Sequence, residues 1–440
     1  MGFVVHNFMF WVIYVSVIII STTFVLNSNI ILNKFSIGSV VYYSLIIFAF
    51  IGYPAIYYKI IPYYVNSGLT NNLIISKMFI ISSLVIIQFF LGYYVCSKYI
   101  DRFRIKVNKS NVAKIQELSK SLWLIIFITC IGVLIYYLGR VPNIALFEAI
   151  KGSTSIEIAQ SRSEMTNAFD KYHRFRLFFK TILPFMSTIS LLEMIRTKKK
   201  FWILSFIISF ISVCFALLID TQKAPIIWYV ISIVAVILVY YNRKIDLKFL
   251  IKITILMLVV LFISYIVFMG SKIHIETVIS PIRRGLTGQI IPFYHYIEIF
   301  PDLIPFQYGK TFPNPRSIFP FENFNYTVEI ANIVNKQREG ITSSVPTAFW
   351  GELWINFGWY GIFVIPIIFG AFVYVLHYIF NRNRERTTIE IALMVWVALE
   401  LKNLAFTGFS GYLFPFDAFF IVTISLVFYL SSIRFRIRKN

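Results

Sequence analysis

Arg283 and Arg284 stand side by side between Pro281 and Gly285, with Gly288 close behind. Two guanidinium groups offer planar forks of N–H donors suited to phosphate oxygens, and the glycines let backbone approach a ligand. Farther along, Glu352 sits in Gly351-Glu-Leu-Trp-Ile-Asn-Phe-Gly358, where the chain turns apolar again. A carboxylate there is placed either to complement the start of a helix or to take a proton from a hydroxyl at the mouth of a cavity. Arg316, Arg338, Arg162, Lys223 and His295 are the further candidates for holding a substrate. Each has a plainer reading beside it: the arginines as a solvated face, His295 as a polar tip at a membrane surface, Lys223 paired with Asp220. Glu400 with Lys402, and Asp417, are other ionisable groups inside apolar sequence.

The segment 271–361 that carries most of these residues holds eight of the fifteen prolines, Pro281, Pro292, Pro301, Pro305, Pro313, Pro315, Pro320 and Pro346. Such spacing excludes one continuous helix and predicts irregular backbone outside the lipid. Within it, Ile290 to Phe300 reads as an amphipathic or re-entrant piece with its rings at headgroup level, and Thr327 to Gln337 as a short surface helix. Arg174 and Arg176 read as interfacial charges at the head of a span.

Nearly everything else is apolar. Of 440 residues 58% are hydrophobic and 14% charged, against roughly 25% charged in a soluble domain. Runs of span length lie near Phe8 to Leu26, Val40 to Tyr57, Leu73 to Tyr94, Leu122 to Leu138, Phe178 to Ile195, Phe201 to Leu218, Ile226 to Tyr241, Phe249 to Met269, Phe357 to Phe380, Ile389 to Phe406 and Tyr412 to Leu430. They predict an all-α, polytopic integral membrane protein of about 11 transmembrane helices. It forms a single membrane domain, 1–440, with one long outer loop, 271–356, between the eighth and ninth spans. No repeat, soluble domain or cleavable leader stands out, and the first apolar block reads as an anchor.

The net charge of +21 lies largely in short connections, which speaks for anionic lipid headgroups and against nucleic acid. Lys98 to Lys120, Arg196 to Lys200, Arg243-Lys244, Arg382 to Arg386 and Arg434 to Lys439 fall on one side of the alternation, predicted to be cytoplasmic. The opposite side receives Ile61 to Asn72, Gly139 to Leu177, Asp220 to Pro225, the long loop, and Thr407 to Gly411. The sequence has no phosphate-binding glycine loop, no dinucleotide fingerprint and no metal-spaced cluster of His and Cys, so no metal or cofactor is expected. Cys96, Cys130 and Cys214 read as packing residues.

Pro313-Asn-Pro-Arg316, Ser344-Val-Pro346 and the Gly351 to Gly358 segment, together with the topology, resemble the bacterial O-antigen polymerases, the Wzy-type oligosaccharide repeat-unit polymerases. The resemblance implies a metal-independent glycosyltransferase in the bacterial inner membrane, its active site facing the periplasm. Its partners would be an undecaprenyl-diphosphate-linked oligosaccharide, membrane lipids and, in some systems, a chain-length regulator. The growing glycan would pass to the nonreducing end of a new lipid-linked unit, with Arg283, Arg284 and Arg316 facing the diphosphate and Glu352 taking the acceptor's proton. The alternatives are an O-antigen ligase, which differs in acceptor, and a flippase for the same lipid-linked unit.

Overall fold

A computed structural model describes residues 5–60, 68–102, 117–167, 175–246, a few positions between 248 and 259, 282–334, 344–381, 386–413 and 415–432. Among the described residues the secondary structure is helical, with no strand, and nine helices are long and apolar enough to cross a membrane.

The helices are α1 (Asn7–Asn27), α2 (Ile37–Ala49), α3 (Tyr53–Tyr57), α4 (Asn72–Arg102), α5 (Lys120–Leu138), α6 (Ala145–Lys151), α7 (Ser155–Asn167), α8 (Leu183–Thr197), α9 (Lys200–Leu218), α10 (Lys223–Tyr240), α11 (Ile291–Ile299), α12 (Tyr326–Val334), α13 (Phe349–Phe380), α14 (Thr388–Leu401) and α15 (Phe416–Ser432). A π-helical segment, Leu177–Ile182, leads into α8. Polar residues set several starts. Ser36 and Ser39 form a capping box before α2, Thr387 and Glu390 one before α14, and the Ser119 side chain accepts the Leu122 N–H at the head of α5.

Two apolar cores organise the bundle. One joins α1 to α4, α11, α13 and the 404–409 segment; the other joins α5 to α10 and α15. Helix α14 separates them. Its Ile389, Ala392 and Val395 face the second core while Met394, Ala398 and Leu401 face the first, two sets each spaced by three or four residues. No residue of α14 is exposed. The tenth span expected from Ile389 to Phe406 is thus shortened: the helix has 14 residues and a length of about 21 Å, ending in the 3-10 turn Lys402–Ala405. A helix apolar on all sides is buried in protein or in lipid, and composition alone does not distinguish them. The eighth expected span, Phe249 to Met269, lies largely outside the described residues.

Helices α4 and α13 cross closely. A Cβ on Gly92 would meet the Ile367 carbonyl oxygen at 2.0 Å, and one on Gly370 would meet that of Phe89 at 1.9 Å. Each glycine lets the other helix's backbone in, as small residues do where membrane helices pack.

The connecting segments fall into two sets by their contacts. In the first, the Asn71 N–H donates to Tyr294 Oη at 3.1 Å, the Leu146 N–H to the Ile219 carbonyl at 3.1 Å, Arg162 to Thr221 at 2.6 Å, and the Ser410 N–H to Glu352 at 2.9 Å. In the second, the Ile245 N–H donates to the Asn33 carbonyl at 2.7 Å, the Trp202 indole to Glu117 at 2.8 Å, and Thr388 to Glu193 at 2.7 Å. Segments predicted to share a side of the membrane touch one another in each of these contacts.

The α4–α13 crossing carries a test. Gly370→Ala pushes a methyl into a carbonyl oxygen and is expected to destabilise by about 1–3 kcal/mol, read as a lowered melting temperature of the purified protein. Gly132→Ala in α5, where a Cβ meets nothing within 4 Å, leaves the melting temperature unchanged or slightly raised. Equal behaviour of the two variants would contradict the crossing.

Candidate functional site

Gly358 breaks α13. Its φ of 55° and ψ of −134° lie in a region essentially reserved for glycine, and a Cβ there would also meet the Phe306 ring at 2.8 Å. The break divides a short N-terminal piece, Phe349 to Phe357, from the long apolar helix after it. Carbonyls at the end of that first piece lose their helical partners, and the strap 306–312 supplies replacements. The Gln307 N–H donates to the Ile355 carbonyl at 2.9 Å, and the Tyr308 N–H to that of Asn356 at 3.1 Å. Next along, the Gly309 N–H donates to Asn356 Oδ1 at 2.8 Å.

This stitching places Thr311 against Glu352. The Thr311 hydroxyl donates to Glu352 Oε1 at 2.7 Å and accepts from Asn356 Nδ2 at 2.7 Å. On the other side the Ser410 N–H donates to Glu352 Oε2 at 2.9 Å. A Cβ on Gly408 would lie 2.1 Å from Glu352 Oε2 and 2.2 Å from Tyr326 Oη, so glycine is needed for the carboxylate, the phenol and the 407–411 loop to meet. Glu352 is in the first turn of α13, as expected from sequence, and its exposure is 0%. A buried carboxylate is tolerable only when hydrogen-bonded; here donors meet both oxygens, and the ion pairs among the described residues do not include it.

Two phenols stand near this carboxylate. Burial pushes Tyr296 and Tyr326 well above the ordinary phenol range, with the negative charge of Glu352 adding to it, so both keep their protons. Tyr296 donates to the Val345 carbonyl at 2.7 Å and packs edge-on against Tyr326 at 5.9 Å. Beside them an open hollow of about 450 Å³ is lined by Thr311, Asn323, Phe324, Asn325 and Tyr326.

The cations gather elsewhere. Arg283 and Arg284 lie on a helical turn, 282–287, where neighbours point about 100° apart; Arg284 is exposed and Arg283 half-buried. On such a turn the two arginines of the fork expected from sequence leave the backbone in different directions. Instead Arg284 and Arg162 both act electrostatically on Lys223, which opens α10. Lys223 does not take Asp220 as its ion-pair partner, contrary to the sequence expectation. Asp220 pairs with Lys180 of the π-helical segment at 2.9 Å, each side chain 6% exposed. The chain positions are adjacent, but Asp220 ends a helix facing the π segment, which no local spacing reveals.

Beyond this pair, Glu400 lies within the electrostatic reach of Lys402, Asp417 and Arg176. Thr181 donates to Asp417 at 2.9 Å, Asn403 bridges Lys402 (2.6 Å) and Glu400 (3.2 Å), and the Lys402 ammonium sits 4.3 Å from the Trp228 ring centroid. Arg162, Arg176, Lys180, Lys223, Arg284 and Lys402 thus form one ionisable band with Asp220, Glu400 and Asp417. Arg176 and Lys180 were missed as members because an arginine at the head of a span usually meets headgroups. The segment Lys402 to Ser410 runs from this band to Glu352.

His295 is not the interfacial tip expected from sequence. Helix α11 is buried on nearly every side, Glu298 being its exposed residue. The amphipathic reading of Ile290 to Phe300 fails because helices α4, α12 and α13 pack around it. His295 Nδ1 lies 3.3 Å from Glu298 Oε2, and burial lowers its pKa against the pull of Glu298, leaving a neutral ring at pH 7. The backbone of Arg316 lies in the 3-10 turn Pro315–Ser317; Arg338 and Arg174 lie outside the described residues. The surface helix expected over Thr327 to Gln337 is α12, with Ile330 and Ala331 buried.

Among the described residues no group of three or more His, Cys, Asp or Glu is placed to hold a metal. In comparison with known proteins, no family model, no curated protein and no solved structure matches the chain.

The Lys180–Asp220 pair is expected to matter for stability whatever the chemistry. Asp220→Asn leaves a buried ammonium without its counter-charge, at a cost of about 3–5 kcal/mol. The double variant Lys180→Met/Asp220→Asn is expected to recover most of that. Thermal unfolding of the two variants checks the pair; a harmless Asp220→Asn would dissolve it.

Proposed function

We propose that this protein is a polytopic inner-membrane glycosyltransferase that polymerises undecaprenyl-diphosphate-linked repeat units at the periplasmic face. The observation that carries the reading is the separation of two kinds of chemistry within one set of connecting segments. A buried carboxylate is hydrogen-bonded through Thr311 to an open polar hollow, and the segment Lys402 to Ser410 leads from it to a band of cations. Joining one glycan to another from a lipid diphosphate needs both. The acceptor hydroxyl must lose a proton, and the departing diphosphate must have its charge met.

In this mechanism Arg284, Lys223 and Arg162 receive the diphosphate as it leaves the anomeric carbon. Guanidinium forks match phosphate oxygens in pairs, while the lysine adds a point charge. Arg283 and Arg316 are further cations proposed to face the diphosphate. Glu352 accepts the acceptor's proton, with the Ser410 N–H on the oxygen away from Thr311 keeping it oriented. The sugar is activated before it arrives, so the chemistry calls for no nucleotide, and no metal or cofactor is proposed.

Glu352→Gln keeps the side chain's size and removes its proton affinity, and is expected to abolish polymer; its NH2 must face the Ser410 N–H or the Thr311 hydroxyl, at a stability cost of about 1–3 kcal/mol, so protein level is checked by immunoblot. Arg284→Ala is expected to slow polymerisation by roughly a hundred- to a thousandfold, and Arg284→Lys by noticeably less. The measurement is the ladder of lipopolysaccharide chain lengths in the source bacterium with its own copy deleted. Full ladders from Glu352→Gln and Arg284→Ala would remove these residues from the chemistry. Single repeat units on the core mark loss of a polymerase, whereas long chains stranded on the lipid carrier mark loss of a ligase.

The orientation has its own test. In a variant lacking the native cysteines, a cysteine at Asn314 is expected to react with an impermeant thiol reagent in cells with a permeabilised outer membrane, while cysteines at Asn108 and Thr197 stay shielded. Labelling at Asn108 from outside would invert the orientation.

A further inference from the structure

The hollow beside Glu352 has a chemistry of its own. Among the described residues its lining of Thr311, Asn323, Phe324, Asn325 and Tyr326 combines two carboxamides, two hydroxyls and two aromatic rings, with no charged side chain. Its volume of about 450 Å³ falls within the range of small-molecule sites, roughly 300 to 1,000 Å³. A carboxamide presents a donor and an acceptor side by side, the pattern that neighbouring hydroxyls on one ring can answer. Ring faces cover apolar C–H surface. The ligand this describes is neutral and polyhydroxylated, a sugar ring rather than a phosphate or a peptide carboxylate.

The rim is firmly built. The Phe324 N–H donates to the Lys310 carbonyl at 2.8 Å, and the Asn325 carbonyl receives the Val328 and Glu329 N–H groups at 3.1 and 3.0 Å as α12 begins. The floor is Thr311, 6% exposed. A hydroxyl has one proton and two lone pairs. The Thr311 proton goes to Glu352 Oε1 and one lone pair takes Asn356 Nδ2, so a second lone pair can receive an O–H from the hollow.

We propose that this hollow is the acceptor-sugar subsite, and that Thr311 relays the acceptor hydroxyl's proton to Glu352. The word acceptor rests on the polymerase reading; the sugar subsite does not. As the acceptor oxygen bonds to the donor's anomeric carbon, its proton passes to Thr311 Oγ1 and the Thr311 proton passes to Glu352 Oε1. The anomeric C–O bond to the diphosphate breaks, and the diphosphate leaves with that electron pair. Glu352 ends protonated and Thr311 unchanged. The carboxylate, buried as it is, therefore need not touch the sugar.

Two measurements on the full-length protein in nanodiscs decide this. The first is saturation-transfer NMR with methyl glycosides of glucose, galactose, N-acetylglucosamine and rhamnose. At least one is expected to bind, and Asn323→Ala/Asn325→Ala is expected to weaken it about tenfold or more, from the loss of two carboxamide partners. No binding by any glycoside, or equal binding by the double variant, overturns the subsite and leaves the polymerase reading to the Glu352→Gln ladder. Loss of sugar binding in the double variant with no effect on the ladder keeps a sugar site and sinks its role as acceptor site.

The second measurement is the ladder from Thr311 variants. Thr311→Ser keeps the relaying hydroxyl and is expected to give near-normal chains. Thr311→Val and Thr311→Ala are both expected to give single repeat units while binding the glycoside within a few-fold of wild type. Two non-relaying variants keep the relay testable if one folds poorly. A full ladder from either overturns the relay.

Discussion

A helix that stops inside an apolar bundle leaves carbonyls that no water can reach, and something in the chain must satisfy them. Gly358 creates that situation in α13. The strap at 307–309 answers it with successive N–H groups, two to carbonyls and one to the Asn356 side chain. The rest of the site follows from this requirement. Once the strap is stitched to the helix, Thr311 has little choice but to meet Glu352, and Asn356 is drawn in to complete the hydroxyl's hydrogen bonds. The same break separates a short, fully buried piece that holds the carboxylate from a longer piece with exposed apolar side chains such as Ile368 and Phe372.

The carboxylate and the cations are kept apart for a physical reason. A cation against Glu352 would stabilise its charged form and weaken it as a proton acceptor, whereas hydroxyl and backbone donors orient it at lower cost. Cations, in turn, act best where negative charge develops on a leaving group. The Lys180–Asp220 pair fits the same logic in another role. It is far too buried to serve a substrate directly, yet it fixes the junction of α9 and α10, on which Thr221 and Lys223 stand next to Arg162. The polymerase reading thus needs no residue to serve both tasks.

Much of this was legible in the sequence, and the misses have identifiable causes. The all-helical membrane architecture follows from apolar runs of span length. The position of Glu352 in a first helical turn follows from its place just before the ninth run. Arg162, Lys223 and Arg284 were named separately, and the fold brings them within reach of one another; no spacing predicts that, because they come from three distant segments. The helical turn that carries Arg283 and Arg284 is not legible, because the proline-rich context hides it. His295 and its helix read as interfacial because aromatic rings suit headgroups and protein interiors alike. Thr311 carried no signal at all: a threonine in a loop becomes chemically meaningful only when the strap docks.

Helix α14 shows how a helix shorter than its apolar run still joins the two sets of contacting segments. At about 21 Å it is short for a bilayer core of about 30 Å, and it exposes nothing to lipid. Yet Thr388 at its start bonds Glu193, among the segments expected on the cytoplasmic side, while its end runs through Lys402 to Ser410 and Glu352, among those expected outside. A helix surrounded by protein can be shorter than the membrane because the 3-10 turn and loop that finish its passage also lie in protein, where side chains and neighbouring backbone satisfy their polar groups. The Lys402 amine finds Asn403 and the face of Trp228, and Glu400 accepts from Asn403. What sequence reads as the apolar end of a span is therefore irregular backbone packed within the bundle, a structure that persists in a membrane protein only where protein replaces lipid around it. That replacement is also what lets the loop at Gly408 and Ser410 descend far enough to hold the carboxylate from the side opposite Thr311.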